Sequence, residues 1–185
     1  MPELYEHFPE LENEKIVIGK MSEEDVDALS EITGNPNVYR FISPFLFQKN
    51  RGVLLTAIKN LGGRDFDKKK MIIAGIYLKS ESRKLIGLAE MFDWKKRDNK
   101  ITIGYRINEA YWHQGIATSA VKLMKGYLLD KIGISVLQAF VMPGNVHSKR
   151  ALLRNGFQKE EYWASGNNWG GQAETELEVY TCRKE

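Results

Sequence analysis

The sequence predicts one α/β domain over 1–185: a mixed, mostly antiparallel central sheet of about seven strands with a central parallel pair, flanked by about four helices. Three observations carry this. Three strand-like runs follow one another between 71 and 107 with only short polar turns between them, the pattern of an antiparallel meander. A long run of helical period, 116–132, sits between two further strand-like runs, 101–107 and 135–143, and such a crossover makes its strands parallel. No repeat or linker divides the 185 residues, a length with room for one sizeable core.

The elements follow in order. "KIVIGKM" (15–21) reads as a first strand. "SEEDVDALSEITG" (22–34) reads as a helix: Ser22 is a cap, acidic residues fill its first turn, Gly34 ends it, and Val26, Leu29 and Ile32 share a face. A second helix is expected over 47–63, stopped by Gly62-Gly63. The meander is 71–79, 84–94 and 101–107. In the helix 116–132, Ile116, Ala120, Met124 and Leu128 lie four apart, with Val121 and Ile132 beside them, and Gly133 ends it. A buried-looking strand (135–143) and a short helix (145–156) follow. Two strand-like pieces, near 157–163 and 175–183, are separated by the Gly/Asn-rich "SGNNWGGQ".

Composition narrows the class. The chain is 43% hydrophobic and 28% charged, with a net charge of +3 spread along it; its longest basic run is "KKK" at 68–70. That is the balance of an ordinary globular protein, not of a nucleic-acid binder. Cys182 is the only cysteine, which fits a reducing compartment. "MPELYEHFPELENEK" lacks the basic and apolar regions of a signal peptide, and no apolar run approaches the ~20 residues of a membrane span. A cytoplasmic protein without a membrane partner is expected, as a monomer or homodimer. His7, His113 and His147 have no metal-ligand spacing, so no metal is expected.

The stretch "YWHQGIATSA" (111–120) follows a strand and opens a helix. The first amides of a helix have no intrahelical acceptor and carry partial positive charge, so an anion is stabilised there. Gly115 lets the chain approach a diphosphate without a Cβ, Ala117 keeps the next position small, and the Thr118 hydroxyl adds a donor. The loop has neither the G-x-G-x-x-G of a dinucleotide site nor the G-K-[ST] of a P-loop. On this stretch alone, a diphosphate cradle and an ordinary helix start remain open.

Trp112-His113-Gln114-Gly115-Ile116-Ala117 and, downstream, "NVHSKRALLRNGF" (145–157) together resemble the GNAT family of N-acetyltransferases, whose motif reads [Q/R]-x-x-G-x-[G/A] followed by N-x-x-[A/S] and G-F. Trp112 departs from the first position. That departure, with "GYRINEAYWHQGIAT" before it and Ser148 after it, is similar to the RimJ/RimL-like branch, which acetylates ribosomal-protein amino termini. The resemblance covers about 15–183. It implies a GNAT-like fold whose parallel pair splays open, and acetyl-CoA as cosubstrate. It implies that the diphosphate sits on the amides of Gln114, Gly115, Ile116, Ala117 and Thr118, and that the pantetheine arm runs along Tyr105, Arg106 and Ile107. Asn145 matches the asparagine that bonds the arm, and is also a plain helix cap. Ser148 matches a position near the thioester sulfur; a first-turn polar residue is its bland reading. The family's frequent general-acid tyrosine falls here on Leu152.

The implied chemistry is direct acetyl transfer to a primary amine. Lysine, with pKa about 10.4, is neutral roughly once in 2,500 at pH 7, and an α-amine, with pKa about 7.7–8.0, roughly once in 10. A lysine acetylase therefore gains more from a base. Where some members carry a strand glutamate, this chain has Thr102. The candidate substitutes for that glutamate are Glu90 and Asp93 on the preceding strand and Glu109 before the loop; of these Glu90, with Ser148, is expected to be catalytic. Trp94, Trp163 and Trp169 are candidates for an acceptor cleft. A protein α-amine is the leading acceptor. A polyamine or aminoglycoside stays open because of Glu160, Glu161, Glu174 and Glu176, and a non-catalytic acyl-CoA-binding module stays open because the tyrosine and strand glutamate are missing.

Overall fold

The computed structural model describes residues 3–184. In chain order the strands are β1 (Leu11–Glu12), β2 (Ile16–Gly19), β3 (Met71–Leu78), β4 (Lys84–Lys95), β5 (Lys100–Ile107), β6 (Val136–Val141), β7 (Gln158–Trp169) and β8 (Gln172–Arg183). The four main helices are α1 (Val26–Gly34), α2 (Arg51–Gly62), α3 (Ile116–Lys125) and α4 (Val146–Arg154), with a short helical turn at Arg64–Asp67. One sheet runs β1-β2-β3-β4-β5-β6-β8-β7, and its one parallel pair is β5–β6.

The sheet is buried on both faces. Alternate residues of β3 divide between two apolar clusters: Ile72, Ala74 and Ile76 join the one under α3 and α4, and Ile73 the one under α1 and α2. The period-four stripe of α3 does what its spacing predicts. Ile116, Ala120, Val121, Met124 and Leu128 are buried, and each large apolar side chain so buried contributes about 1.5–3 kcal/mol.

The eight strands are the seven read from the sequence plus β1, two residues long and too short to show an alternation. Three expectations are corrected. The second helix begins at Arg51 rather than 47, because Leu46 and Gln48 take left-handed backbone (φ 62 and 51) and Asn50 caps the helix by accepting from the Val53 amide at 3.0 Å. The helix over 116–132 changes winding: Gly126–Ile132 is a π-helical segment, closed by Gly133 at φ 87. Finally, "SGNNWGGQ" is mostly strand. β7 and β8 pair down to Trp169↔Gln172, leaving Gly170-Gly171 as a two-residue turn with φ 57 and 77, the positive pair a tight hairpin demands.

Candidate active site

The site begins where the parallel pair fails. β5 and β6 pair only through Lys100↔Val136, Ile101↔Leu137 and Thr102↔Gln138. Beyond that, β6 stays with β8 as far as Val141↔Glu178, while β5 stays with β4 as far as Ile107↔Gly87. Residues 103–107 of β5 thus have no strand on their β6 side, and a cleft opens. Thr102 lies at the last pair, buried, its hydroxyl accepting from Gln138 Nε2 at 3.3 Å. It fastens the sheet where the cleft starts.

Two cavities meet in that cleft, one of about 820 Å³ and one of about 90 Å³. Phe41, Ile42, Tyr105, Arg106, Asn145 and Ser148 line both, and so mark the junction. Four of these six were singled out from sequence. Phe41 and Ile42 were not, since they belong to an irregular segment with no motif.

The large cavity is built for an anion. Gly115 stands at φ 75 before α3, and the first backbone bond of the helix runs from Ser119 N to Gly115 O. The amides of Ile116, Ala117 and Thr118 are therefore the open N-terminal donors. Arg40, His113, His147, Arg150 and Arg154 line the same space, and the three arginines make no ion pair among the described residues. The two histidine rings meet edge to face at 4.7 Å. The one acid on the wall, Glu109, is engaged: Asn35 donates to it at 2.7 Å and Asn37 at 3.0 Å, which holds its carboxyl below the usual range. Gln114 alone of the predicted cradle lies off the wall. Its carbonyl accepts from Lys15 Nζ and its side chain reaches back to Ala110 O at 3.3 Å. Trp112 packs as wall, its indole N–H donating to Ile107 O at 2.8 Å.

At the junction, Asn145 is a cap, its Oδ1 accepting from the Ser148 amide at 3.3 Å, and it also faces the cavities. Ser148 Oγ lies 2.9 Å from Tyr105 Oη. Burial pushes the Tyr105 hydroxyl up to about 12, against a smaller downward pull from Ser148. Leu152, one helical turn along, is 1% exposed and packs in the core. Sequence reasoning found Tyr105 as backbone only; no local pattern tells which side chain it meets 43 positions later.

The small cavity differs in kind. Phe41, Phe92, Phe140 and Trp169 give it an aromatic wall. Its one acid, Glu90, accepts from Arg106 Nε at 2.5 Å; Arg106 Nη1 donates in turn to Ser43 O at 2.8 Å, and its guanidinium lies over Tyr39 and Phe45. Glu90 Oε2 makes no hydrogen bond among the described residues. The β7–β8 turn closes the space: Gly170 N donates to Ile42 O at 3.0 Å, and Trp169 follows Asn168 at φ 56. Trp94 packs instead near Tyr5, and Trp163 lies exposed under Lys159. Asp93 is paired with Lys95 at 2.7 Å and lines neither cavity, and neither do Glu160, Glu161, Glu174 and Glu176. No group of three His, Cys, Asp or Glu suited to a metal occurs among the described residues.

These residues fit a coenzyme A thioester: open helix-start amides with unpaired arginines for phosphates, and an unpaired strand edge for an amide-bearing arm. A family model described as an acetyltransferase (GNAT) domain matches residues 15–158. The uncharacterized N-acetyltransferase YoaA of Bacillus subtilis (strain 168) is 26% identical over 155 residues, 83% of this chain and 85% of its own. Two solved structures share the fold at low identity. The microcin self-immunity acetyltransferase MccE, in complex with acetyl-CoA and AMP, has a TM-score of 0.80 at 19% identity, over 92% of this chain and 93% of that one. The ribosomal-protein α-N-acetyltransferase RimL, in complex with coenzyme A, has a TM-score of 0.79 at 14% identity, over 93% and 96%.

Proposed function

The chain belongs to the GNAT family of acetyltransferases, and from that premise we propose that it moves the acetyl group of acetyl-CoA directly to a primary α-amine at the amino terminus of a protein or peptide. The observation that carries this is the junction of a large, cation-lined cavity with a small, charge-compensated one at the end of an unpaired strand edge. The amides of Gly115, Ile116, Ala117 and Thr118 hold the diphosphate, with Arg40, Arg150 and Arg154 supplying charge. The edge of Tyr105, Arg106 and Ile107 pairs with the arm, and Asn145 adds a polar contact. Gln114 shapes the loop, its carbonyl held by Lys15 Nζ.

In the transfer, a neutral amine attacks the thioester carbonyl. The N–C bond forms, the C–S bond breaks, coenzyme A leaves as thiolate, and the nitrogen sheds one proton. Glu90 Oε2 accepts that proton and passes it to solvent; Ser148 donates a hydrogen bond to the sulfur. The leaving thiol resembles a cysteine thiol with pKa about 8.5, so it departs as thiolate near neutral pH without full protonation. Backbone amides at the open edge stabilise the oxyanion, a contribution of about 3 kcal/mol in comparable sites.

The small cavity supports the α-amine reading over a polycation. Its one carboxylate is already paired, and five aromatic residues line the cavity. A polyamine or aminoglycoside finds no acidic lining there. A small neutral amine bearing an apolar group fits the same walls and is the second reading.

Calorimetric titration with acetyl-CoA tests the cosubstrate, and turnover on peptides with free or blocked amino termini, beside spermidine, tests the acceptor. Binding by the wild type with turnover on free amino termini is expected. A folded wild type that binds no acetyl-CoA sinks the reading; turnover on spermidine in preference to peptides overturns the acceptor.

A further inference from the structure

The proton-donating tyrosine that the family resemblance places on the helix falls here on buried Leu152. A tyrosine hydroxyl nevertheless reaches the junction, from the opposite wall. Tyr105 comes from β5 and Ser148 from the first turn of α4, and their oxygens lie 2.9 Å apart across the opening of the sheet. Both residues line both cavities.

We infer that Tyr105 is a positioning residue for the transfer: its phenol donates to Ser148 Oγ and so turns the serine's own hydrogen toward the sulfur that leaves. The inference rests on the acetyltransferase reading above and adds a role to a side chain for which that reading uses only the backbone. An unassisted serine hydroxyl rotates freely and points its hydrogen at whichever acceptor is nearest. With one lone pair of Ser148 occupied by Tyr105, that freedom narrows. Burial keeps Tyr105 a phenol, and hence a donor, across the working range. No proton need cross: a buried phenol is a far weaker acid than a thiol, so the pair supplies a hydrogen bond to the thiolate and leaves covalent bonds unchanged. Leu152 removes the competing hydroxyl.

The test needs no acceptor. Coenzyme A carries the leaving thiol, and its thiolate is read by ultraviolet absorbance while pH is raised with the protein in excess. Bound to the wild type, the thiol is expected to ionise about one pH unit below free coenzyme A, a tenfold stabilisation of thiolate. In Tyr105→Phe, which keeps the ring and its packing, that shift is expected to vanish. Ser148→Ala should lose the same shift, and the double variant should lose no more, since the two hydroxyls act in series. Arg106 with Glu90 on the strands, His147, Arg150 and Arg154 on α4, and His113 and Glu109 beside the loop face the same cleft. They are present in every variant, so their influence cancels. A shift retained in Tyr105→Phe but lost in Ser148→Ala overturns the inference, as does a double variant that loses more than either single one. A wild type that binds coenzyme A without any shift overturns it as well, and leaves the acetyltransferase reading standing. Failure of a folded wild type to bind coenzyme A at all removes that reading and the inference with it.

Discussion

The two cavities that meet at Tyr105 and Ser148 have opposite electrostatics. On the large side, three arginines are without ion-pair partners among the described residues, helix-start amides are open, and the one acid is bound by two asparagines. On the small side, the one carboxylate and the one guanidinium face each other, buried, and aromatic rings fill the rest. The three arginines are exposed, so they stay solvated and free to meet a polyanion, whereas the small side is finished, its two buried charges already paired. On the proposed reading, one end of the sheet opening selects by charge and the other by shape.

The largest expected effect breaks the charged side. Gly115→Asp puts a side chain on a residue at φ 75 and a carboxylate beside the open amides. Calorimetry should show acetyl-CoA affinity falling at least ~100-fold, about 3 kcal/mol, the size of an unpaired charge set against a phosphate. Circular dichroism should report an unchanged fold. Retained affinity would mean that the phosphates lie elsewhere.

The second breaks the finished side. Glu90→Gln leaves the Arg106 guanidinium, 3% exposed, without its counter-charge. Removing one partner of a buried pair costs about 3–5 kcal/mol; the two hydrogen bonds from Arg106 to Ser43 lessen this, so about 3 kcal/mol is expected in denaturant unfolding. Acetyl-CoA affinity should stay within about twofold. A variant as stable as the wild type would show that the pair contributes little to the fold.

Much of the charged side was legible in the sequence, because its parts are local. A glycine before an amphipathic stripe and an asparagine three residues before a serine are patterns on single helices, and Gly115 and Asn145 stand where those patterns put them. The finished side was legible only in pieces: Glu90 and Trp169 are candidates in the sequence and both line the small cavity, but nothing local joins them. Arg106 meets Ser43, 63 residues away, and Trp169 meets the cavity because β7 and β8 run through a segment rich in Gly and Asn that reads as loop. Those residues favour turns as single positions, yet cross-strand pairing over Ala164–Asn167 and at Trp169 overrides the preference, leaving positive φ only at Asn168 and in the Gly170-Gly171 turn. The π segment at 126–132 was equally silent: its apolar spacing is that of an α-helix.

Smaller effects sharpen the comparison. Trp169→Ala removes one aromatic wall of the small cavity and should raise the acceptor KM about tenfold, the scale of a well-packed aromatic contact, while calorimetry with acetyl-CoA is unmoved. Equal losses on both substrates would mean that the turn supports the whole cleft. Replacing Arg150 and Arg154 together by alanine should weaken acetyl-CoA binding about fivefold at low salt and flatten its dependence on ionic strength, since exposed charges are screened within about 10 Å at 0.1 M. A salt dependence as steep as the wild type's would place the phosphate charge elsewhere on the wall.

The least effect concerns Glu109, the acid that the charged side tolerates. Hydrogen bonds from Asn35 and Asn37 lower its pKa, and through them the chain after α1 is tied to the turn before the phosphate loop. A carboxyl lowered on folding contributes stability above its unfolded pKa, about 4.3, and loses that contribution as pH falls through the folded value. Glu109→Ala should therefore show a slightly lower Tm than the wild type at pH 6–7, with the two melting curves converging as pH drops below about 4. The group is solvated, so the gap is small, and differential scanning over pH 3–7 is the measurement. A gap that holds constant to pH 3 would assign the contribution to packing rather than to the ionised carboxylate. A gap that widens in acid would reverse the sign and show that folding raises the carboxyl's pKa, favouring its protonated form, rather than lowering it.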